Sequence, residues 1–199
     1  MSELSLKIAC VQMVSSVSVE SNLEAAARAI AQAAADGAQL VVLPEYFCLM
    51  GQHETDKWAI AEAYAGNNVT TATPLQMFLR TQAMQHGIYL VGGTIPLTCE
   101  GTQKVYNTCL IYSPNGDVQA RYDKIHLFGF KNGDESYSEG DSILAGDLTV
   151  PNSPCVWDSP WGRIGLSICY DVRFPELYRA AGEVLAWICV AAFTHTTGQ

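Results

Sequence analysis

The 199-residue chain is 49% apolar and 16% charged, which excludes a disordered chain and allows a sizeable core. Eleven basic side chains against 20 acidic ones give a net charge of −9. Such a surface repels phosphate backbones and anionic membranes, so no nucleic acid and no membrane is expected as a partner.

In chain order, Leu6 to Met13 reads as a strand. Leu23, Ala26, Ala27, Ile30, Ala33 and Ala34 then fall on one helix face, and Gly37 suits that helix's end. Leu40 to Leu43 is a short, wholly apolar strand of the buried kind, so the opening reads as a βαβ unit. A short helix is predicted around Asp56–Tyr64, and a second one starts at Pro74 with Leu75, Phe78, Leu79 and Met84 on its face. Ile88 to Ile95 reads as one strand containing Gly92-Gly93, and Val105 to Tyr112 as another, ended by the turn Ser-Pro-Asn-Gly at 113–116. Phe128 to Asp147 is rich in Gly, Asp, Glu and Ser and reads as a long loop, the kind that is usually functional or disordered. Arg163 to Cys169, Pro175 to Ala181 and Val184 to Ala192 repeat the strand–helix–strand pattern.

Seven cysteines with irregular spacing and no C-x-x-C give no zinc-ribbon or thioredoxin-like motif and read as free thiols of a reducing compartment. The N-terminus lacks a basic region followed by a long apolar one, and no apolar run approaches the roughly 18 residues of a membrane span, so the expected location is cytoplasmic. Four histidines without an H-x-x-x-H pair offer no metal site, and neither nucleotide-binding glycine motif occurs.

Three positions could carry chemistry. Cys169 closes an apolar strand at a strand-to-helix junction, where backbone N–H groups can stabilise a thiolate or an oxyanion; the plain alternative is a buried structural cysteine. Glu45 directly follows a buried strand, where burial raises a carboxyl towards the range of a general base, or it caps a helix or pairs with a cation. Lys124, in Tyr-Asp-Lys-Ile-His-Leu-Phe, either enters a site or is a solvated strand lysine, with His126 as a supporting residue. Gly165-Leu-Ser167-Ile-Cys169 misses the G-x-S-x-G elbow, and strand alternation puts Ser167 on the same face as Cys169, as its neighbour.

Taken in order, Leu-Pro-Glu45, Tyr-Asp-Lys124-Ile-His-Leu-Phe and Gly-Leu-Ser-Ile-Cys169-Tyr-Asp-Val-Arg-Phe-Pro-Glu-Leu resemble the nitrilase (carbon–nitrogen hydrolase) superfamily. The resemblance runs from the first strand to Ala-Ala-Phe-Thr-His-Thr-Thr-Gly and is greatest to the Nit branch of omega-amidases and deaminated glutathione amidases. It implies an α/β fold, a four-layer α-β-β-α sandwich, with Glu45 as general base, Lys124 as the cation that stabilises the tetrahedral intermediate and Cys169 as nucleophile. Glu139, in Tyr137-Ser-Glu ahead of Gly146-Asp147, matches the family's second glutamate, with Glu135 as the competing choice. The backbone N–H of Tyr170 would share the oxyanion, while Arg173 and Thr194 would face the substrate, Arg173 either holding its carboxylate or forming a structural pair with Asp171 or Glu176. No metal or cofactor is implied; the implied partners are a small-molecule amide and further copies of the chain, as a dimer or higher oligomer. The family continues beyond Phe-Thr-x-x-Thr-Gly with a helix and more strands, so residues 1–199 are expected to form one domain, C-terminally incomplete relative to the family. The alternatives are the branches that hydrolyse nitriles or N-carbamoyl amines, and an inactive truncated paralogue or assembly subunit.

Overall fold

The computed structural model describes residues 5–133, 135–147 and 156–193. Strand β1 (Ile8–Cys10), helix α1 (Val19–Ala35) and strand β2 (Leu40–Val42) form the opening βαβ unit, with β1 and β2 parallel. Ser18 caps α1 by accepting the Ser21 N–H at 3.2 Å. Ala26, Ile30 and Ala33 are buried on the expected face. Asn22 is buried beside them and donates to the carbonyls of Ser16 (2.8 Å) and Cys48 (3.0 Å). A 3-10 turn at Asp56–Ile60 takes the place of the first short helix, and α2 (Pro74–His86) starts on its proline as predicted.

Strands β3 (Tyr89–Val91), β4 (Ile95–Thr98), β5 (Val105–Tyr112) and β6 (Val118–Asp123) complete a six-stranded sheet. β3 and β4 lie along one edge of β5, and β6 lies along the other. The single strand expected over Ile88–Ile95 is thus two strands, parted at Gly92–Thr94. Gly93 has φ of +53°, and a Cβ there would sit 2.1 Å from the Pro44 carbonyl oxygen. The break therefore admits the chain that leaves β2 towards Glu45.

The stretch expected to be a long loop holds a hairpin, β7 (Gly129–Asn132) and β8 (Glu135–Ser138), followed by a 3-10 turn at Glu139–Asp141. Its apolar content is low because two rings, Phe130 and Tyr137, paired across the strands, supply the apolar contact. Gly-Asp at 133–134, between the paired Asn132 and Glu135, is the sequence signal for a tight hairpin connection.

Strands β9 (Val156–Ser159), β10 (Gly162–Ile168) and β11 (Ala186–Val190) form a second sheet, with β10 in the middle and parallel to β11. Helix α3 (Pro175–Ala180) links β10 to β11. Strand alternation sorts the core. Val41, Leu43, Leu90 and Leu110 pack under α1 and α2, whereas Leu40, Val42, Val91 and Ile111 meet Ile164, Leu166, Ile188 and Val190 of the second sheet. On the outer face of β10, the hydroxyl of Tyr178 from α3 donates to Ser167 Oγ at 2.9 Å, and its ring packs on Trp187. The layers run α-β-β-α, as the resemblance implied. No helix among the described residues is long and apolar enough to cross a membrane.

Candidate active site

Glu45 stands where the chain leaves β2 through Pro44. Two bonds fix this exit: Leu43 N–H donates to the Val91 carbonyl, and Tyr46 N–H donates to Thr94 Oγ1, both at 2.9 Å. Tyr46 has φ of +55°, uncommon for a residue with a side chain and tolerated only where surrounding contacts impose it. The Glu45 side chain points into the seam between the sheets and is only 2% exposed. Its Oε1 accepts from Asn107 Nδ2 and from Lys124 Nζ, each at 3.0 Å, and its Oε2 accepts the Ala192 N–H at 3.0 Å. The Cys169 thiol lies beside the same carboxylate, near enough for each group to shift the protonation of the other. Burial pushes the Glu45 carboxyl up, and the Lys124 ammonium works against that shift.

Lys124 leaves β6 with its backbone held on both sides. Its N–H donates to the Asn107 carbonyl and its carbonyl accepts from Gly146 N–H, each at 2.9 Å. A Cβ at Gly146 would lie 2.4 Å from the Asp123 carbonyl oxygen, so the close approach requires glycine. The lysine is buried, with Nζ 3.0 Å from Glu45 Oε1 and 2.9 Å from Glu139 Oε1. Burial disfavours its charge, but the two carboxylates outweigh burial and hold the ammonium above the usual lysine range. Glu139, the loop glutamate preferred from the sequence, meets the lysine. Glu139 also accepts from Tyr46 Oη at 3.1 Å and from Phe128 N–H at 2.7 Å.

Cys169 follows β10 with φ of +45°, opening a 3-10 turn over Cys169–Arg173. The positive φ ends the strand alternation. Ser167 faces outward to Tyr178, whereas Cys169 turns inward to Glu45, so the expected side-by-side placement of Ser167 and Cys169 on one face does not hold. Burial pushes the Cys169 thiol up to about 12, helped by the Glu45 charge and opposed by Lys124 and the Ala192 N–H. The resting thiol is therefore protonated at neutral pH. Tyr170 takes the second place in the turn, where an N–H has no partner within the turn.

Asp171 organises this turn and was not singled out from the sequence. Wholly buried, it accepts from Tyr122 Oη (2.7 Å) and Ile168 N–H (2.9 Å) on one oxygen, and from His126 N–H (2.9 Å) and Nδ1 (2.7 Å) on the other. The His126 ring also stacks on Phe174 at 3.7 Å. Asp171 thus joins the segment around Lys124 to the turn that carries Cys169. Asn107 and the Ala192 N–H were missed as well: a backbone donor leaves no trace in the sequence, but an asparagine inside the apolar run Val105–Tyr112 is a buried polar group that needs a partner. Arg173 is exposed and makes no ion pair among the described residues; Asp171 and Glu176, its nearest acids in sequence, are bonded elsewhere. Thr194 lies outside the described residues. Among the described residues, no group of three or more His, Cys, Asp or Glu side chains is placed to hold a metal ion.

A four-layer sandwich with a carboxylate, an ammonium and a thiol meeting at the seam of its sheets defines a thiol-bearing hydrolase-type site. Residues 7–198 match the carbon–nitrogen hydrolase family, and the chain belongs to that family. It is 40% identical over 196 residues to deaminated glutathione amidase of Synechocystis sp. (strain PCC 6803 / GT-S), covering 96% of this chain and 68% of that protein. Its identity to omega-amidase NIT2-A of Xenopus laevis is 35% over 195 residues, covering 96% of this chain and 65% of the relative. The crystal structure of Saccharomyces cerevisiae Nit3, a member of branch 10 of the nitrilase superfamily, superposes with a TM-score of 0.78 at 31% identity, covering 97% of this chain and 66% of that one. The chain spans about two thirds of the length of the curated relatives it matches.

Proposed function

We propose that the chain carries the catalytic site of an amidase that cleaves a small, carboxylate-bearing amide to an acid and ammonia through a thioester on Cys169. The observation that carries this reading is the buried Glu45 carboxylate, which accepts from the Lys124 ammonium at 3.0 Å and has the Cys169 thiol beside it. Sγ attacks the amide carbon as Glu45 takes the thiol proton, which avoids forming a free thiolate whose protonated form persists to about pH 12. Lys124 Nζ and the Tyr170 N–H hold the oxygen that becomes negative, worth about 3 kcal/mol per donor in comparable sites. Glu45 returns the proton to the nitrogen, the C–N bond breaks and ammonia leaves. Glu45 then takes a proton from water, whose oxygen attacks the thioester; the C–S bond breaks, the acid departs and the thiol is reprotonated. Glu139 keeps the lysine aimed and charged throughout.

The relatives' names point to deaminated glutathione and to ω-amides as the first substrates to try. The test is ammonia release from a panel of these compounds, nitriles and N-carbamoyl amines, using the wild type, Cys169→Ala and Glu45→Gln. Carboxylate-bearing amides should be turned over by the wild type alone. Ordinary turnover by Cys169→Ala would overturn the mechanism.

A further inference from the structure

Glu54 lies just ahead of the Asp56–Ile60 turn, and its carboxylate grips both sides of Glu139 without touching it. It accepts from Tyr137 Oη at 2.9 Å and from Ser142 Oγ at 3.2 Å, residues that precede and follow Glu139. Lys57 completes the group, with Nζ 2.7 Å from Glu54 Oε2 and 5.3 Å from the centre of the Tyr46 ring, whose hydroxyl donates to Glu139. Trp58 Nε1 adds a bond to the Ser142 carbonyl at 3.3 Å. Segment 54–58 therefore reaches Glu139 by three routes: Tyr137, Ser142 and Tyr46.

Glu139 needs such support. It directly follows β8, and among the described residues β7 and β8 pair only with each other. A two-stranded ribbon is marginal by itself and takes its position from outside contacts. After Glu139 the chain is tied to β5, because Val105 N–H donates to the Ser142 carbonyl at 3.1 Å and Leu144 N–H to the Val105 carbonyl at 2.9 Å. Before Glu139, the Tyr137 hydroxyl on Glu54 ties the ribbon to the body of the protein. Burial pushes the Glu54 carboxyl up, but Lys57, Tyr137 and Ser142 together bring it below the usual carboxylate range, so the acceptor is ionised and strong at neutral pH.

We infer that Glu54 is a positioning residue: by fixing Tyr137 and Ser142 it sets Glu139, and through Glu139 the aim of the Lys124 ammonium. The inference rests on the amidase reading above. A displacement of even an ångström at a reacting group costs up to about 100-fold in rate, so a device remote from the thiol can govern turnover.

The test is Glu54→Ala, whose fold is not at risk because the Glu54 side chain is 39% exposed. The expected result is a fall in kcat of about 10-fold with KM within about twofold, and faster amide hydrogen exchange over residues 135–144 with α1 unchanged. Glu54→Gln, which keeps an acceptor for Tyr137, should recover part of the rate. In a Glu139→Gln background the same change should cost less than about twofold more, since a device acting through Glu139 has nothing left to act on. A Glu54→Ala enzyme with wild-type kcat, or losses that multiply with those of Glu139→Gln, would overturn the inference. If the wild type released no ammonia, the amidase reading would fall instead; the exchange measurement would still decide the positioning, and unchanged exchange over 135–144 would refute it.

Discussion

The Nδ1 atom of His126 lies 2.7 Å from Oδ1 of Asp171, joining the chain just beyond Lys124 to the turn just beyond Cys169. Asp171 is wholly buried and accepts four hydrogen bonds, so an amide in its place must turn an N–H towards a donor. Asp171→Asn should lower unfolding stability by about 3 kcal/mol and reduce turnover. Urea unfolding checks this, and an unchanged midpoint would show that Asp171 is not the link described.

The Cys169 thiol should stay protonated across the neutral range. Thiolate absorbance near 240 nm, taken as wild type minus Cys169→Ala, should remain flat from about pH 6 to pH 9, because burial and the Glu45 charge hold the thiol near 12. Alkylation of Cys169 should nevertheless outrun that of Cys48 and Cys109 in the wild type and slow at least 10-fold in Glu45→Gln, as expected for removal of a base. A thiolate signal appearing near pH 7 would mean a preformed ion pair and a different first step.

Lys124→Met should be destabilised in a pH-dependent way. Without the ammonium, Glu45 loses the cation that holds its carboxyl down, while burial and the Glu139 charge still push it up. A group whose folded pKa lies above its unfolded value favours the fold below the unfolded pKa, about 4.3 for Glu, and that contribution is lost as pH rises through the folded pKa. The stability gap between wild type and variant should therefore be small near pH 4 and reach about 3–5 kcal/mol at pH 7. Denaturant unfolding at several pH values measures it; a gap independent of pH would show that the carboxylates do not depend on Lys124.

Arg173 is exposed and free of ion pairs among the described residues, which leaves its planar fork for a carboxylate from solution. Discrimination between a carboxylate-bearing amide and its neutral ester should collapse in Arg173→Ala. Arg173→Lys should raise KM although the charge is kept. Equal discrimination by wild type and Arg173→Ala would remove Arg173 from substrate recognition.

The strand ends that carry Glu45 and Cys169 were legible because each follows an apolar run, and βαβ connectivity followed from two such runs around a helix. Lys124 and Glu139 were harder. A lysine after a polar-looking strand and a glutamate in a Gly- and Ser-rich stretch acquire meaning only through each other; the family resemblance implies each as a site residue, and their pairing emerges only across the fold. Strand periodicity misplaced Ser167 because it assumes extended backbone, whereas the positive φ at Cys169 breaks the alternation where the chemistry sits. The β7–β8 hairpin is hard to read from apolar periodicity because its strands bury little, although Gly-Asp at 133–134 is a hairpin-turn signal.

Glu45 and Lys124 leave the first sheet, whereas Cys169 and the Ala192 N–H that holds Glu45 belong to the second. Neither sheet alone contains the proposed set: one has a carboxylate and an ammonium with no thiol beside them, the other a thiol with no carboxylate. The seam is thus an interlock. On the proposed mechanism, Cys169 is an ordinary thiol until the two sheets dock, and the docking that buries Leu40, Ile111, Leu166 and Ile188 is also what completes the site.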